Sequence, residues 1–219
     1  KIQQITQGDF DVTSIYAQNK NTLLVGRTDM NHNADLFSVD LKKGTMAQVT
    51  EVNKQNYAKI TPSKTELKMV KTTDGKEMGV WFVYPPDFDP NKKYPTLLYC
   101  QGGPQSALTQ FFSTRWSPAL MAAKGYIVVA PNRRGMPGWG TKWNEEISKD
   151  WGGQVMKDYL AATDYAKTLP YVDNDRMGAV GASYGGYSVF MLAGIHDNRF
   201  KTFIAHDGLF DMKSWYGTT

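Results

Sequence analysis

Ser183 lies in the run Gly181-Ala182-Ser183-Tyr184-Gly185-Gly186, a G-x-S-x-G pattern. A serine hydroxyl can attack a carbonyl carbon and carry the acyl group as an ester, provided that a base takes its proton. The flanking glycines fit a sharp, strained turn, because they remove the side chains that such a turn would crush. A hydroxyl raised on that turn, at the start of a helix, also meets the positive end of the helix dipole. Negative charge developing on the attacked carbonyl needs donors aimed at it. One is the backbone N–H of Tyr184, the residue after the serine. The second is expected from Gln101-Gly102-Gly103-Pro104, as either the Gln101 side chain or the Gly102 N–H. Glycines there let a ligand approach the backbone closely.

The base is harder to find. The chain has three histidines. His32 falls in a polar turn of the N-terminal region. His196 lies thirteen residues beyond Ser183, which along a helix is roughly 18–20 Å. His206 follows an apolar run and is followed by Asp207. It is read as part of a pocket floor or a structural hydrogen bond.

Elements with fixed geometry must hold these groups. Arg176 to Val180 reads as a short buried strand leading to the serine, and Tyr187 to Ile195 as an apolar helix leaving it. Strand, turn, helix around G-x-S-x-G is the nucleophile elbow of the α/β-hydrolase fold. From Tyr94 onward such units alternate. Thr96–Cys100, Tyr126–Ala130 and Thr202–Ala205 read as strands. Ser117–Lys124 and Gln154–Lys167 read as helices, the latter with Val155, Tyr159, Ala162 and Ala166 on one face. Alternation of this kind predicts an α/β fold with a mostly parallel sheet and helices on both faces. Ligands in such sheets bind at the carboxyl ends of the strands. In this fold the acid and the histidine follow the serine on later loops, an order that His206 does not satisfy.

The N-terminal region is different. Leu23–Val25 and Leu36–Leu41 read as strands separated by polar turns. Leu36-Phe37-Ser38-Val39-Asp40 followed by Lys43-Gly44 fits an outer strand pair of a propeller blade. Pro62 to Lys64 read as a linker, and Thr73-Asp74-Gly75-Lys76 as a hairpin turn. The expected division is 1–61, the end of a β-propeller, and 62–219, the first part of a hydrolase domain. The 219 residues carry a net charge of +4 without a long basic run, so neither nucleic acid nor an anionic membrane is expected as a partner. No apolar stretch reaches the ~20 residues of a membrane span. The single Cys100, set among apolar residues, reads as a buried, inert thiol. No metal or other cofactor is expected. Both ends read as cuts through a longer polypeptide.

Several segments together resemble the prolyl oligopeptidase family of serine peptidases. They are Tyr94-Pro95, Gln101-Gly102-Gly103-Pro104-Gln105-Ser106, Arg134-Gly135 with Gly138-Trp139-Gly140, Asp150-Trp151-Gly152-Gly153 with Asp158, and Gly181 to Tyr187. They occur in family order within residues 62–219. The resemblance implies Ser183 as nucleophile and a short peptide as substrate, with N-terminal dipeptides or acyl-amino acids released. It also implies a catalytic Asp and His beyond Thr219, and a pocket with Tyr184, Phe210, Trp215 and Tyr216 in its walls. Gln101 stands where the dipeptidyl peptidase IV branch has a tyrosine, which points to the dipeptidyl peptidase V or acylaminoacyl-peptidase side. A homodimer through the hydrolase domain is a further family implication, as is a periplasmic or cytoplasmic setting, of which the resemblance favours the periplasm. The competing readings are a carboxylesterase on the same fold and a catalytically silent, partner-binding relative.

Overall fold

The computed structural model describes residues 2–218. Its residues fall into two compact units. The first holds residues up to Ser63 together with Thr109–Ala119. The second holds Lys64–Leu108 and the residues from Leu120 onward.

In the first unit, β1 (Asp11–Asn19), β2 (Thr22–Asp29), β3 (His32–Asp40) and β4 (Met46–Gln48) form an antiparallel meander in chain order. A short helix, α1 (Lys54–Tyr57), follows. Local hydrogen bonds make the turns. Asp29 Oδ1 accepts the N–H groups of Asn31 and His32, and Asp40 Oδ1 those of Lys42 and Lys43. The latter pair holds the Asp40 carboxyl below its usual range. His32, expected in a turn, is the first residue of β3; its ring meets Asp29 and the Tyr57 ring. Thr109–Ala119 joins the unit through Asp11, which accepts from Thr109 Oγ1 and Gln110 N, and through Gln110 Oε1, which accepts from Met30 N.

The second unit is built on a six-stranded sheet. Its strands are β5 (Thr65–Lys71), β6 (Glu77–Val83), β7 (Tyr94–Cys100), β8 (Ile127–Pro131), β9 (Val172–Ala182) and β10 (Thr202–His206). They lie in the order β10-β9-β7-β8-β6-β5. β8, β7, β9 and β10 run parallel; β6 and β5 close the sheet with antiparallel pairings. The helices that follow α1 are α2 (Pro118–Ala123, which begins in the first unit and continues into the second), α3 (Thr141–Glu145), α4 (Gln154–Lys167), α5 (Tyr184–Ile195) and α6 (Met212–Tyr216). The sheet is therefore mostly parallel, as expected. The short helices α3 and α6 carry too few turns for periodicity to reveal them.

The predicted face of α4 holds: Val155, Tyr159, Ala162 and Ala166 are buried, in the same hydrophobic core as Phe82, Leu98, Ile127 and Ala179 of the sheet. α4 and α5 touch each other and share strands, so they cover one face of the sheet. The steps β8 to β9 and β9 to β10 run the same way across the sheet, which under right-handed crossovers sets both helices on that face. The step from β7 to β8 runs the opposite way, and the same rule assigns its connection to the other face.

Candidate active site

β7 is the point at which the chain reverses its progress across the sheet: β8 lies on one side of it and β9 on the other. A crevice opens outside the carboxyl ends of two such neighbouring strands. Cys100 of β7 pairs with Gly181 of β9, so Gln101 and Ser183 leave adjacent strand ends.

Ser183 is the one residue between β9 and α5. Its backbone angles are φ 59° and ψ −123°, a conformation that L-residues rarely adopt and that concentrates at functional sites. Its N–H donates to the His206 carbonyl at 3.0 Å, which holds the turn against β10. The neighbouring glycines have no room for a side chain. A Cβ on Gly181 would lie 2.5 Å from the Gly185 carbonyl oxygen, and one on Gly185 would lie 2.0 Å from that of Cys100. One on Gly186 would reach 2.6 Å from the Gly208 Cα. The chain thus crosses itself tightly beneath the serine. The helix starts at Tyr184 rather than at Tyr187, so the Tyr184 N–H belongs to the first turn and lacks an intrahelical acceptor.

The Gln101–Pro104 loop lies against this elbow. A Cβ on Gly102 would stand 2.8 Å from the Ala182 carbonyl oxygen and 3.5 Å from the Ser183 Cβ. Gly103 has φ +127°. Sequence reasoning missed what fixes this loop. Arg133, at the carboxyl end of β8, is fully buried and donates to the carbonyls of Gln101 (3.2 Å) and Pro104 (2.7 Å). Asn132 holds the far end by a reciprocal pair with the backbone of Leu108. An arginine two residues past an apolar strand, at the sheet edge that carries the serine, was the available signal.

The Tyr184 ring is only 1 % exposed. It lies under the Arg133 guanidinium, 4.8 Å away, edge-on to Trp151, and its hydroxyl donates to the Trp151 carbonyl. Trp215 and Tyr216 line a cavity of about 480 Å³ with Trp151, Tyr187, Met212 and Asp150. Burial and the Asp150 carboxylate push the Tyr187 hydroxyl above its usual range. Phe210 stands apart, 81 % exposed and edge-on to Phe190. His206 ends β10 with Nδ1 3.1 Å from Asp207 Oδ2. His196 packs with Phe200 and Phe203 at the far end of α5. Burial pushes the Cys100 thiol up, so it stays protonated. Among the described residues no cluster of His, Cys, Asp or Glu could hold a metal ion, and no helix is long and apolar enough to cross a membrane.

The sequence matches Peptidase_S9, the prolyl oligopeptidase family, over residues 112–219. It is 54 % identical over 219 residues to dipeptidyl-peptidase 5 of Porphyromonas gingivalis, covering 100 % of this chain and 32 % of that protein. Dipeptidyl-peptidase 5 of Schizosaccharomyces pombe is 38 % identical over 167 residues, covering 75 % of this chain and 24 % of the relative. Among solved structures, the acylaminoacyl peptidase of Pyrococcus horikoshii aligns with a TM-score of 0.82 at 25 % identity, covering 94 % of this chain and 32 % of that one. The chain spans about a third of the length of these first relatives. With the serine elbow at the switch point of an α/β-hydrolase sheet, these likenesses establish that the chain belongs to the prolyl oligopeptidase family.

Proposed function

We infer that this chain carries the nucleophile and oxyanion half of a serine peptidase that releases N-terminal dipeptides or acyl-amino acids from short peptides. One observation carries the reading: Ser183 holds a strained elbow at the switch point, packed against the Gly102 backbone. Similarity to proteins named dipeptidyl-peptidase 5 and acylaminoacyl peptidase supports it.

Ser183 Oγ would attack the scissile carbonyl while its proton passes to a histidine base. The oxyanion would receive the N–H of Tyr184 and a donor from Gln101 or Gly102. Collapse expels the amine, protonated by the same base, and water then cleaves the acyl ester. The acid and base are assigned to residues outside this chain, because none of its histidines has the required place after the serine. Trp215 and Tyr216, with Trp151 and Tyr187 beside them, are proposed as the walls of an apolar side-chain pocket. Tyr184 would support that pocket from beneath, and Phe210 would join it only if α6 or its loop moved. The four-stranded meander of the first unit is read as the last blade of a β-propeller.

The test compares the full-length protein with its Ser183→Ala variant on dipeptidyl, acyl-aminoacyl and simple ester reporters. Peptide turnover that vanishes in the variant is expected. Turnover of esters alone would favour the carboxylesterase reading, and no Ser183-dependent turnover would favour a silent relative.

A further inference from the structure

Arg133 is a buried cation with an unusual set of partners. Its side chain is fully excluded from solvent, and arginine does not lose its proton in proteins. An enclosed charge is costly unless paired, yet among the described residues no carboxylate pairs with it. Four hydrogen bonds do the work instead. Nη1 donates to the carbonyls of Pro104 (2.7 Å) and Arg134 (2.9 Å), Nη2 to that of Gln101 (3.2 Å), and Nε to the Tyr159 hydroxyl (3.1 Å). The guanidinium also lies over the rings of Tyr184, at 4.8 Å, and Tyr159, at 5.8 Å. The same group therefore grips the loop beside the serine and the first residue of the helix after it.

We propose that Arg133 is a positioning residue that fixes the Gln101–Gly102 peptide relative to Tyr184, and so sets the spacing of the two donors that receive the oxyanion. The inference rests on the serine-peptidase reading of Ser183. The geometry is direct. A trans peptide is planar, with its C=O and N–H pointing opposite ways. Anchoring the Gln101 carbonyl on Arg133 thus turns the Gly102 N–H away from Arg133. Gly102 itself is wedged against Ala182 and the Ser183 Cβ, so the loop cannot retreat from the elbow without losing that anchor. The unneutralised charge adds a fixed positive potential on the side of the site where negative charge develops.

The experiment uses the full-length protein with Arg133→Met, Arg133→Lys, Tyr159→Phe and Ser183→Ala. Tyr159→Phe removes the hydroxyl that accepts the Nε bond and that also meets Ser188, and it keeps the ring, so it reports even if Arg133→Met does not fold. Three quantities are read: kcat and KM on a dipeptidyl reporter, affinity for a dipeptide boronate, and affinity for the free dipeptide product. The boronate's tetrahedral adduct on Ser183 puts an oxygen in the donor pair. Misplacing catalytic groups by about 1 Å costs about 10²-fold. Arg133→Met is expected to lower kcat and boronate affinity together by about that factor, with KM and product affinity within about threefold of wild type. Tyr159→Phe should act in the same direction by about 2–10-fold, the worth of one hydrogen bond. Arg133→Lys should recover part of the loss. Unchanged kcat and boronate affinity in Tyr159→Phe and Arg133→Lys would overturn the proposal. So would boronate and product affinities that fall equally, as expected of a merely structural arginine. Wild-type protein with no more hydrolysis than Ser183→Ala would overturn the reading of Ser183 itself, and this inference with it.

Discussion

At the scale of single residues the site depends on atoms that are missing as much as on those present. The 2.0 Å approach of a Gly185 Cβ to the Cys100 carbonyl involves two backbones, neither of which can swing aside. Gly185→Ala in the full-length protein is expected to cost about 1–3 kcal/mol, as overpacking does, and to remove hydrolysis. Gly194→Ala in the same helix meets nothing within 4 Å and should stabilise slightly, since alanine is the better helix former. Denaturant midpoints of the two variants, moving in opposite directions, would check this. Gln101 invites a second test. Its carbonyl is committed to Arg133, whereas its side-chain amide makes no hydrogen bond with the described residues. Gln101→Ala is therefore expected to keep kcat/KM within tenfold, against the about 10²–10³ lost with an oxyanion donor. A loss of that larger size would assign the donor to the side chain.

At the scale of elements, the hairpin between β5 and β6, the segment after β8 and the first turns of α4 meet at Arg134. Its guanidinium pairs with Asp74 Oδ2 at 2.8 Å, and its Nε stands 3.4 Å from both Asp158 and Glu146. Its backbone N–H donates to Asp158 Oδ2. The carboxylates respond with opposite signs. The hydrogen bond from Arg134 holds Asp74 well below the usual carboxylate range. Burial pushes Asp158 up, against its hydrogen bonds from Arg134 and Gln154. A depressed carboxylate stabilises the fold above its unfolded pKa, about 3.9, and loses that contribution as the pH falls below it. Asp74→Asn should therefore lower stability at pH 7, and the gap to wild type should close as the pH falls through 4 to 2. Asp74 is 36 % exposed, so solvent screening limits the effect to about 1 kcal/mol. Thermal melts of both proteins at neutral and acid pH measure it; a gap that widens in acid would contradict the assignment.

At the scale of the whole molecule, several apolar side chains stand open. Ile15 and Tyr16 on β1, Ile204 on β10, and Tyr216 beyond it are all exposed. β10 and β1 are edge strands of their sheets, and an uncovered apolar edge is a template for association. Residues 1–219 expressed alone are expected to elute as aggregates or oligomers rather than as a monomer. They are also expected to be inactive on peptide reporters, because Ser183 without a positioned base is a weak nucleophile. Size-exclusion chromatography with a fluorophosphonate probe tests both points. Hydrolysis by this piece alone that is abolished by His206→Ala would show that His206–Asp207 serves as its base.

Much of this was legible in the residues. The elbow, the buried face of α4 and the strand–helix alternation depend on local spacing, and glycine at 181 and 185 states where backbones must touch. The sequence determined the fold class and the family, and it singled out Ser183 as the candidate nucleophile, because each is carried by neighbours along the chain or by motifs of fixed order. Only the tertiary structure decided the strand order that brings Cys100 beside Gly181, and the burial of Arg133 between a loop thirty residues upstream and a helix fifty downstream. It also set apart the aromatics that the family resemblance had grouped. Tyr184 turns inward because the first turn of α5 faces the core, while Trp215 and Tyr216 line an open cavity. Contacts between residues distant in sequence leave no period to read, since their energetics depend on which surfaces the fold makes adjacent.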